Sequence, residues 1–370
     1  MVETIDLLIS QMKKLYILNN SLDPLKEELE LFLKDTELNS FEFAKNAMLS
    51  EEIKANDLVE GYLENIDDII GVDKRRKDGT NNKEQRILNL YQAYKYTLKK
   101  EEINKKNLKH LYNILSRHLL SENDLSLMGE YYRNDDVFIY YSNDARKEPD
   151  EGINYKEIDK YMNYLFDYIN SGNSLDTMTD YYIKSQIIHF YFVFIHPYFD
   201  VNGRTSRTLS MWYLLNNEVY PYIIFNRGIN FDKKTYYKAI LETKKFGNIT
   251  IFLKFMLKNV KIELEKEYFI SKVANEEKMS ILERQTLNYI LSMNGVKTLK
   301  DFVSFYGHFN EKRKMKDINE NLLNPLFDKK ILEITRYSKS KIYDGTNNYI
   351  FEVNHELKDL KDSKIKRLKI

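Results

Sequence analysis

No cysteine occurs among the 370 residues, which excludes disulfides, thiolate metal sites and a cysteine nucleophile. Proline and glycine are scarce, at 5 and 12, so few positions force a turn and helices are the natural outcome. Neither sign of charge predominates, because 57 basic and 56 acidic residues leave a net charge of +1. No global field draws the chain to nucleic acid or to a lipid surface, and any such contact has to come from a local patch. The longest apolar run, around Phe190 to Ile195, falls far short of the roughly 20 residues that span a bilayer. The N-terminus carries Glu3 and Asp6 and lacks a basic region followed by an apolar one, so it does not read as a signal peptide. These absences describe a cytoplasmic protein with no membrane partner, long enough for one large domain and a smaller one.

What is present reads as mainly helical. Ile5, Leu8 and Met12 lie at helical spacing, and Ser21-Leu22-Asp23-Pro24 opens a second helix, where Ser or Asp can cap and Pro suits a first turn. Phe41 to Leu58 is a further helical run leading into Asn56-Asp57-Leu58-Val59-Glu60-Gly61. The polar segment Lys74 to Lys83 is a loop, and helices resume at Ile87 to Leu98, Ile103 to Leu120 and Ile158 to Ile169. Val137 to Tyr141 is β-rich and precedes Ser142-Asn143-Asp144, which predicts a short strand or hairpin. Pro221 to Asn230 reads as a connector, followed by helices at Tyr236 to Lys244 and Ile249 to Phe269. The polar run Ser271 to Lys278 marks the edge of a second unit. Its pattern gives helices at Ile281 to Met293, Leu299 to Tyr306 and Glu311 to Phe327, then strands at Ile331 to Tyr337 and Tyr349 to Val353, with Asp344-Gly345 as the hairpin turn. Three helices and a two-stranded hairpin are the order of a winged helix.

One stretch concentrates chemistry. Tyr181 to Ile195 is apolar on nearly every side and predicts a buried helix, and helical periodicity resumes from Thr205 to Asn216. Between them lies His196-Pro197-Tyr198-Phe199-Asp200-Val201-Asn202-Gly203-Arg204-Thr205-Ser206-Arg207. A helix starting at about Gly203 leaves its first amides free to bind an anion, and Gly allows close backbone approach. Arg204 and Arg207 share a helix face and add fixed positive charge. Asp200 is suited to hold a hydrated Mg²⁺ together with phosphate oxygens, and His196 can accept a proton. The set suits transfer of a phosphate-containing group to a hydroxyl.

The same residues resemble the motif of the Fic (filamentation induced by cAMP) domain family, His-Pro-Phe-x-Asp-Gly-Asn-Gly-Arg-x-x-Arg, at His196, Pro197, Asp200, Asn202, Gly203, Arg204 and Arg207. Tyr198 stands for the usual Phe, and Val201 for a Gly. The resemblance covers roughly residues 40 to 260, including Gly129-Glu130-Tyr131-Tyr132-Arg133 and the Val137 strand, where the family has a flap that docks the target segment. It implies an all-helical core with a β-hairpin flap and transfer of AMP from ATP to a Ser, Thr or Tyr hydroxyl of a target protein. His196 would be the base and Asp200 the Mg²⁺ ligand. Asn202 and Gly203 would form the anion hole, and Arg204 and Arg207 would hold the phosphates. Asn56 to Gly61 is similar to the family's inhibitory motif, Ser/Thr-x-x-x-Glu-Gly/Asn, which implies a class II arrangement with Glu60 pairing Arg207. Removal of AMP by water placed at Glu60, and self-modification, are further implied activities.

Two alternatives stay open. The chain could transfer another group, such as UMP, phosphocholine or phosphate, or it could be a nucleotide-binding regulator without efficient transfer, with Val201 as the sign. The domain reading is an N-terminal helical extension over 1–40, a Fic core over 41–270, a winged-helix-like unit over 277–354 and a tail over 355–370. Lys312, Arg313, Lys314 and Lys316, with Lys339 and Lys341 on the wing, offer phosphate contacts that Asp317, Glu320 and Asp328 dilute. DNA contact, target binding and homodimerisation are the three roles open to that unit.

Overall fold

The computed structural model describes residues 2–9, 14–33, 42–63, 69, 71–73, 75–140, 149–171, 175–219, 225–293, 295–341, 347–355 and 357. They build a mainly helical protein with two compact units. The first unit comprises Met1–Lys34, Ala55–Glu60 and Val72–Lys261, and the second Asp35–Lys54, Gly61–Gly71 and Ile262–Ile370.

The first unit opens on β1 (Val2–Ile5) and β2 (Leu15–Leu18), an antiparallel pair with Val2 opposite Leu18 and Ile5 opposite Leu15. This corrects the helix expected there. Ile5, Leu7 and Ile9 are buried, as are Leu15 and Ile17, and that two-residue period is the stronger signal. Helix α1 (Asp23–Leu33) follows, and α2 (Glu42–Val59) contributes its residues from Ala55 onward. Next come α3 (Asn82–Thr97), α4 (Lys105–Ser116) and α5 (Glu122–Ser126), each opened by a side chain that accepts a backbone N–H: Asn81, Asn104 and Ser121. Strands β3 (Phe138–Ile139) and β4 (Asp150–Glu151) form the expected short hairpin, although Ser142-Asn143-Asp144 lies outside the described residues.

Helices α6 (Ile158–Asn170), α7 (Met178–Ile195) and α8 (Asn202–Asn216) complete the core. From Tyr182 to Ile195 every residue of α7 is buried, because its sequence offers no polar stripe to turn to solvent. The segment read as a connector contains α9 (Phe225–Phe231). Its Gly228, which weakens a helix signal, is there for close packing: a Cβ would come within 2.6 Å of Asn259 Cβ. Helix α10 (Lys233–Phe246) stops at Gly247, whose φ of 69° gives the left-handed turn that ends it. Helix α11 (Thr250–Glu276) runs through the polar segment from Ser271 that was expected to be a boundary. Ser271 is buried and donates to Glu267 Oε1 at 3.0 Å, and the same carboxylate pairs with buried Arg284. The two units divide instead at Lys261/Ile262.

In the second unit, α12 (Ile281–Ser292) begins with a reciprocal cap between Ser280 and Glu283. Strand β5 (Lys297–Thr298) and α13 (Leu299–Tyr306) follow. The helix expected from Glu311 starts only at Met315, as α14 (Met315–Ile318), and passes through a π turn at Asn319–Leu323 into α15 (Asn324–Asp328). Pro325 accounts for the widened turn, because it brings no N–H and its ring crowds the carbonyl one turn back. Strands β6 (Leu332–Lys341) and β7 (Asn347–Val353) are antiparallel, and β7 also pairs with β5, so the sheet order is β5-β7-β6. The Asp344-Gly345 turn lies outside the described residues. Among the described residues, no helix is long and apolar enough to cross a membrane.

His189 in the middle of α7 is fully buried, with Nε2 2.9 Å from the Tyr236 hydroxyl. Burial, reinforced by the Arg207 charge, pushes its pKa down to about 3. The unfolded chain, where histidine titrates near about 6.5, therefore binds a proton first as pH falls. The stability His189 contributes is fully present above about pH 6.5 and is lost toward its native value. We predict that the urea midpoint falls between pH 7 and pH 5, and less steeply in His189→Gln; identical pH slopes would contradict the buried neutral imidazole.

Candidate functional site

The site is built where α7 ends and α8 begins, wholly within the first unit. His196 leaves α7 in the left-handed region (φ 52°, ψ 60°), with its amide still donating to Phe192 O at 3.0 Å. Pro197 cannot extend the helix, so the chain turns. Asn202 fastens the loop from its far end: its Oδ1 accepts the Tyr198 N–H at 3.0 Å and its Nδ2 donates to Tyr198 O at 2.7 Å. Asp200 is exposed, and its Oδ1 accepts the Val201 N–H at 2.5 Å.

Val201 is the residue before α8 and has φ 66°. A β-branched residue there is strained by about 1–2 kcal/mol. Its side chain is only 2% exposed, and burying an isopropyl group returns about 1.5–3 kcal/mol, enough to offset the strain. Helix α8 then starts at Asn202, so the Gly203 and Arg204 amides lie in the first turn, where helical amides lack intrahelical partners. Tyr198 stacks on Tyr112 of α4 with ring centroids 3.5 Å apart, which fixes the loop from below.

Arg207 is 1% exposed and is held mainly by the end of α2, with the Tyr236 side chain of α10 as a further hydrogen-bond partner. Its Nε donates to Asn56 Oδ1 at 2.7 Å, and its Nη2 donates to Asn56 O at 3.0 Å and to Glu60 Oε1 at 2.6 Å. Glu60 Oε1 also lies against Gly203, where any Cβ would collide with it and approach Arg207 Nη1 to 3.0 Å. Burial raises the Glu60 pKa, but the Arg207 and Arg204 charges outweigh it and the net shift is downward, so the carboxylate is ionised at neutral pH. Arg207 remains charged for the same reason, its cost of burial being exceeded by Glu60. Gly61 follows at φ 93°, beyond the last turn of α2.

Four elements of this arrangement were not legible as site residues in the sequence. Asp57, 1% exposed, accepts from Arg86 Nε at 2.9 Å and lies 3.8 Å from Arg204 Nη1, so one turn of α2 holds both arginines of α8. Asn230, Lys233 and Tyr237 donate to the carbonyls of Ala55, Leu58 and Val59, satisfying acceptors that a helix end leaves open. Arg133 is buried, and its Nε donates to His196 O at 2.9 Å while its Nη atoms reach Asp135 O and Ile153 O. Its own amide donates to Pro197 O at 2.9 Å. Arg133 thereby ties the hairpin segment to the loop. The fourth is the Tyr112 ring under Tyr198.

His196 is half-buried, with Nδ1 3.3 Å from Val193 O. Burial is the largest influence and pushes its pKa down to about 4, against the smaller opposite effects of that carbonyl and of Glu60. The imidazole is neutral at pH 7 and can take a proton. The structure thus places His196, Asp200, Asn202, Gly203, Arg204 and Arg207 on one loop-and-helix junction and brings Glu60 onto it. Both polar atoms of the Asn202 side chain are engaged with the loop backbone. Among the described residues, no cluster of three or more His, Asp or Glu forms a metal cage.

The helical core thus presents a neutral imidazole on the loop and two buried guanidiniums at the start of α8. Residues 102–214 match the Fic/DOC family model, and the chain carries a Fic/DOC-family domain there. Among solved structures, the fold is similar to a Fic family protein from Desulfovibrio desulfuricans G20, with a TM-score of 0.57 and 19% identity over 89% of this chain and 94% of that one. It is also similar to Fic-1 (residues 134–508) from C. elegans, with a TM-score of 0.50 and 14% identity over 69% and 76% of the two chains. Fic-domain proteins are generally transferases.

Removing Arg133 strands three carbonyl acceptors and empties a buried position. We predict that Arg133→Ala lowers unfolding free energy in urea by about 3 kcal/mol or more; a loss under about 0.5 kcal/mol would contradict its role as a tie.

Proposed function

We propose that this protein is an auto-inhibited adenylyltransferase that moves AMP from ATP to a hydroxyl side chain of a target protein. The observation that carries the reading is the position of the Glu60 carboxylate, bonded to Arg207 and laid against Gly203 at the start of α8. That is where a helix N-terminus and a guanidinium would receive a phosphate, so the present occupant is a carboxylate standing in for one. Once Glu60 withdraws, Arg204, Arg207 and the first amides of α8 can hold the phosphates of ATP.

His196 then takes the proton of the incoming hydroxyl as its oxygen bonds to the α-phosphorus. The bond from that phosphorus to the bridging oxygen breaks, and pyrophosphate leaves with the electron pair. Asp200 fits a Mg²⁺ role in a limited way: one exposed carboxylate keeps an oxygen free after bonding Val201, and the remaining positions would be taken by phosphate oxygens and water. Bound there, the ion would neutralise charge on the leaving phosphates. Asn202 contributes by holding the loop, through its two bonds to Tyr198. Asp57 orients Arg204 and so acts as a positioning residue. The Glu60 carboxylate could also direct water at the adenylylated product, which would give a hydrolytic reverse activity.

A regulatory binding protein without efficient transfer is the second reading. Val201 favours it less than the sequence suggested, because its side chain is buried. For the C-terminal unit we retain the winged-helix reading. DNA contact is its weakest role, since Arg313 pairs with Asp317 at 3.7 Å and Lys316 with Glu320 at 3.8 Å, which dilutes the basic cluster. Target binding and homodimerisation remain the other roles, in a cytoplasmic setting.

Incubation with ATP labelled at the α-phosphorus, with intact-mass analysis, tests the proposal. Glu60→Gly should raise incorporation of AMP by about tenfold or more over wild type, the scale of one charge-assisted contact. His196→Ala in that background should abolish it. Equal incorporation with and without Glu60 would remove the inhibition, and transfer surviving His196→Ala would remove the base.

A further inference from the structure

We propose that the cleft between α3 and α4 is a second anion site, built for a small polyphosphate. It shares no residue with the junction of α7 and α8. Its cavity of about 410 Å³ is of the size that small-molecule pockets take, roughly 300–1,000 Å³. Lys77, Lys95, Lys99 and Arg117 line it, with His110 and three side-chain amides, and no Asp or Glu is among the lining residues. In a chain with a net charge of only +1, four cations around one cavity with no lining carboxylate are a local field of one sign.

The chemistry of the lining chooses among ligands. Metal cations and cationic ligands find no carboxylate among the lining residues. Lysine ammonium groups and the Asn113 amide are donors that suit phosphate oxygens. The frame of the cleft is fixed. Asn89 Nδ2 donates to Leu115 O and Arg117 O at 3.0 and 2.9 Å, which pins the end of α4. Tyr96 is braced edge-on by His110 at 4.8 Å and by buried Trp212 at 5.5 Å.

Two carboxylates compete from outside the lining: Glu101, whose charge reaches Tyr96, and Asp78, which pairs with Arg117 at 2.8 Å and with His118 at 3.2 Å. The Asp78 and Arg117 side chains are 60% and 43% exposed. Such exposed pairs contribute little to stability, so a ligand with several negative charges can displace this one. The cavity is sized for a free polyphosphate, whereas a nucleic-acid backbone would need a groove that continues beyond it.

Calorimetric titration of the full chain with inorganic tripolyphosphate at low salt tests the site. Lys95 and Lys99 are exposed, so Lys95→Glu with Lys99→Glu should leave the fold intact. That pair should abolish one binding event or weaken it by about tenfold or more, whereas Lys95→Arg with Lys99→Arg should keep it. Lys77→Glu tests the same cleft from the loop before α3 and should weaken binding in the same direction. Unchanged tripolyphosphate binding in the charge-reversed variants overturns the proposal. Tighter binding of a single-stranded oligonucleotide than of tripolyphosphate, lost in the same variants, also overturns it in favour of nucleic acid.

Discussion

A guanidinium that is 1% exposed has to have an anion. Burying Arg207 unpaired would cost several kcal/mol, and among its hydrogen-bond partners Asn56, Tyr236 and Glu60 only the Glu60 carboxylate brings a negative charge. That constraint organises the junction. The same charge that makes Arg207 fit to hold a phosphate obliges the resting protein to supply a substitute, and the end of α2 supplies it. Activity and inhibition, as proposed, are two occupancies of one cationic niche. Withdrawal of Glu60 without an incoming phosphate would leave the charge buried and uncompensated, so the two events are expected to be coupled.

The rest of the first unit can be understood as support for that niche. Helix α7 is buried on all sides, so the loop that follows it starts from a fixed point. Asn202 closes the loop across four residues, Tyr112 supports it from below, and Arg133 holds the His196 carbonyl. On the other side, Asn230, Lys233 and Tyr237 grip the last carbonyls of α2, so Glu60 is delivered by a helix end that is itself bonded in place. Asp57 extends the hold to Arg204. The arrangement bonds this turn to the core, and moving Glu60 away from Arg207 requires several hydrogen bonds to be exchanged.

Much of this was legible in the sequence for a local reason. The helices around the motif are set by periodicity, and the motif itself is contiguous, so its residues share one junction by connectivity alone. Pairing of Glu60 with Arg207, 147 positions apart, was readable only through family resemblance. What stayed hidden were residues whose partners are remote and whose neighbours look ordinary. Arg133 lies 63 positions from His196, and Asp57 falls at an unspecified position of the Asn56 to Gly61 motif. The N-terminal hairpin was missed because Ile5, Leu8 and Met12 satisfy a helical period by chance, while the buried set Ile5, Leu7 and Ile9 follows a period of two. The widened turn before Pro325 needed its three-dimensional setting.

The central claim is an exchange of anions at Arg207, and nucleotide affinity measures it most directly. Titrating wild type and Glu60→Gln with ATP and with adenosine separates the phosphate contribution from that of the base. Exchange predicts that Glu60→Gln binds ATP about tenfold or more tightly and adenosine with unchanged affinity. Equal ATP affinities in the two proteins would contradict it.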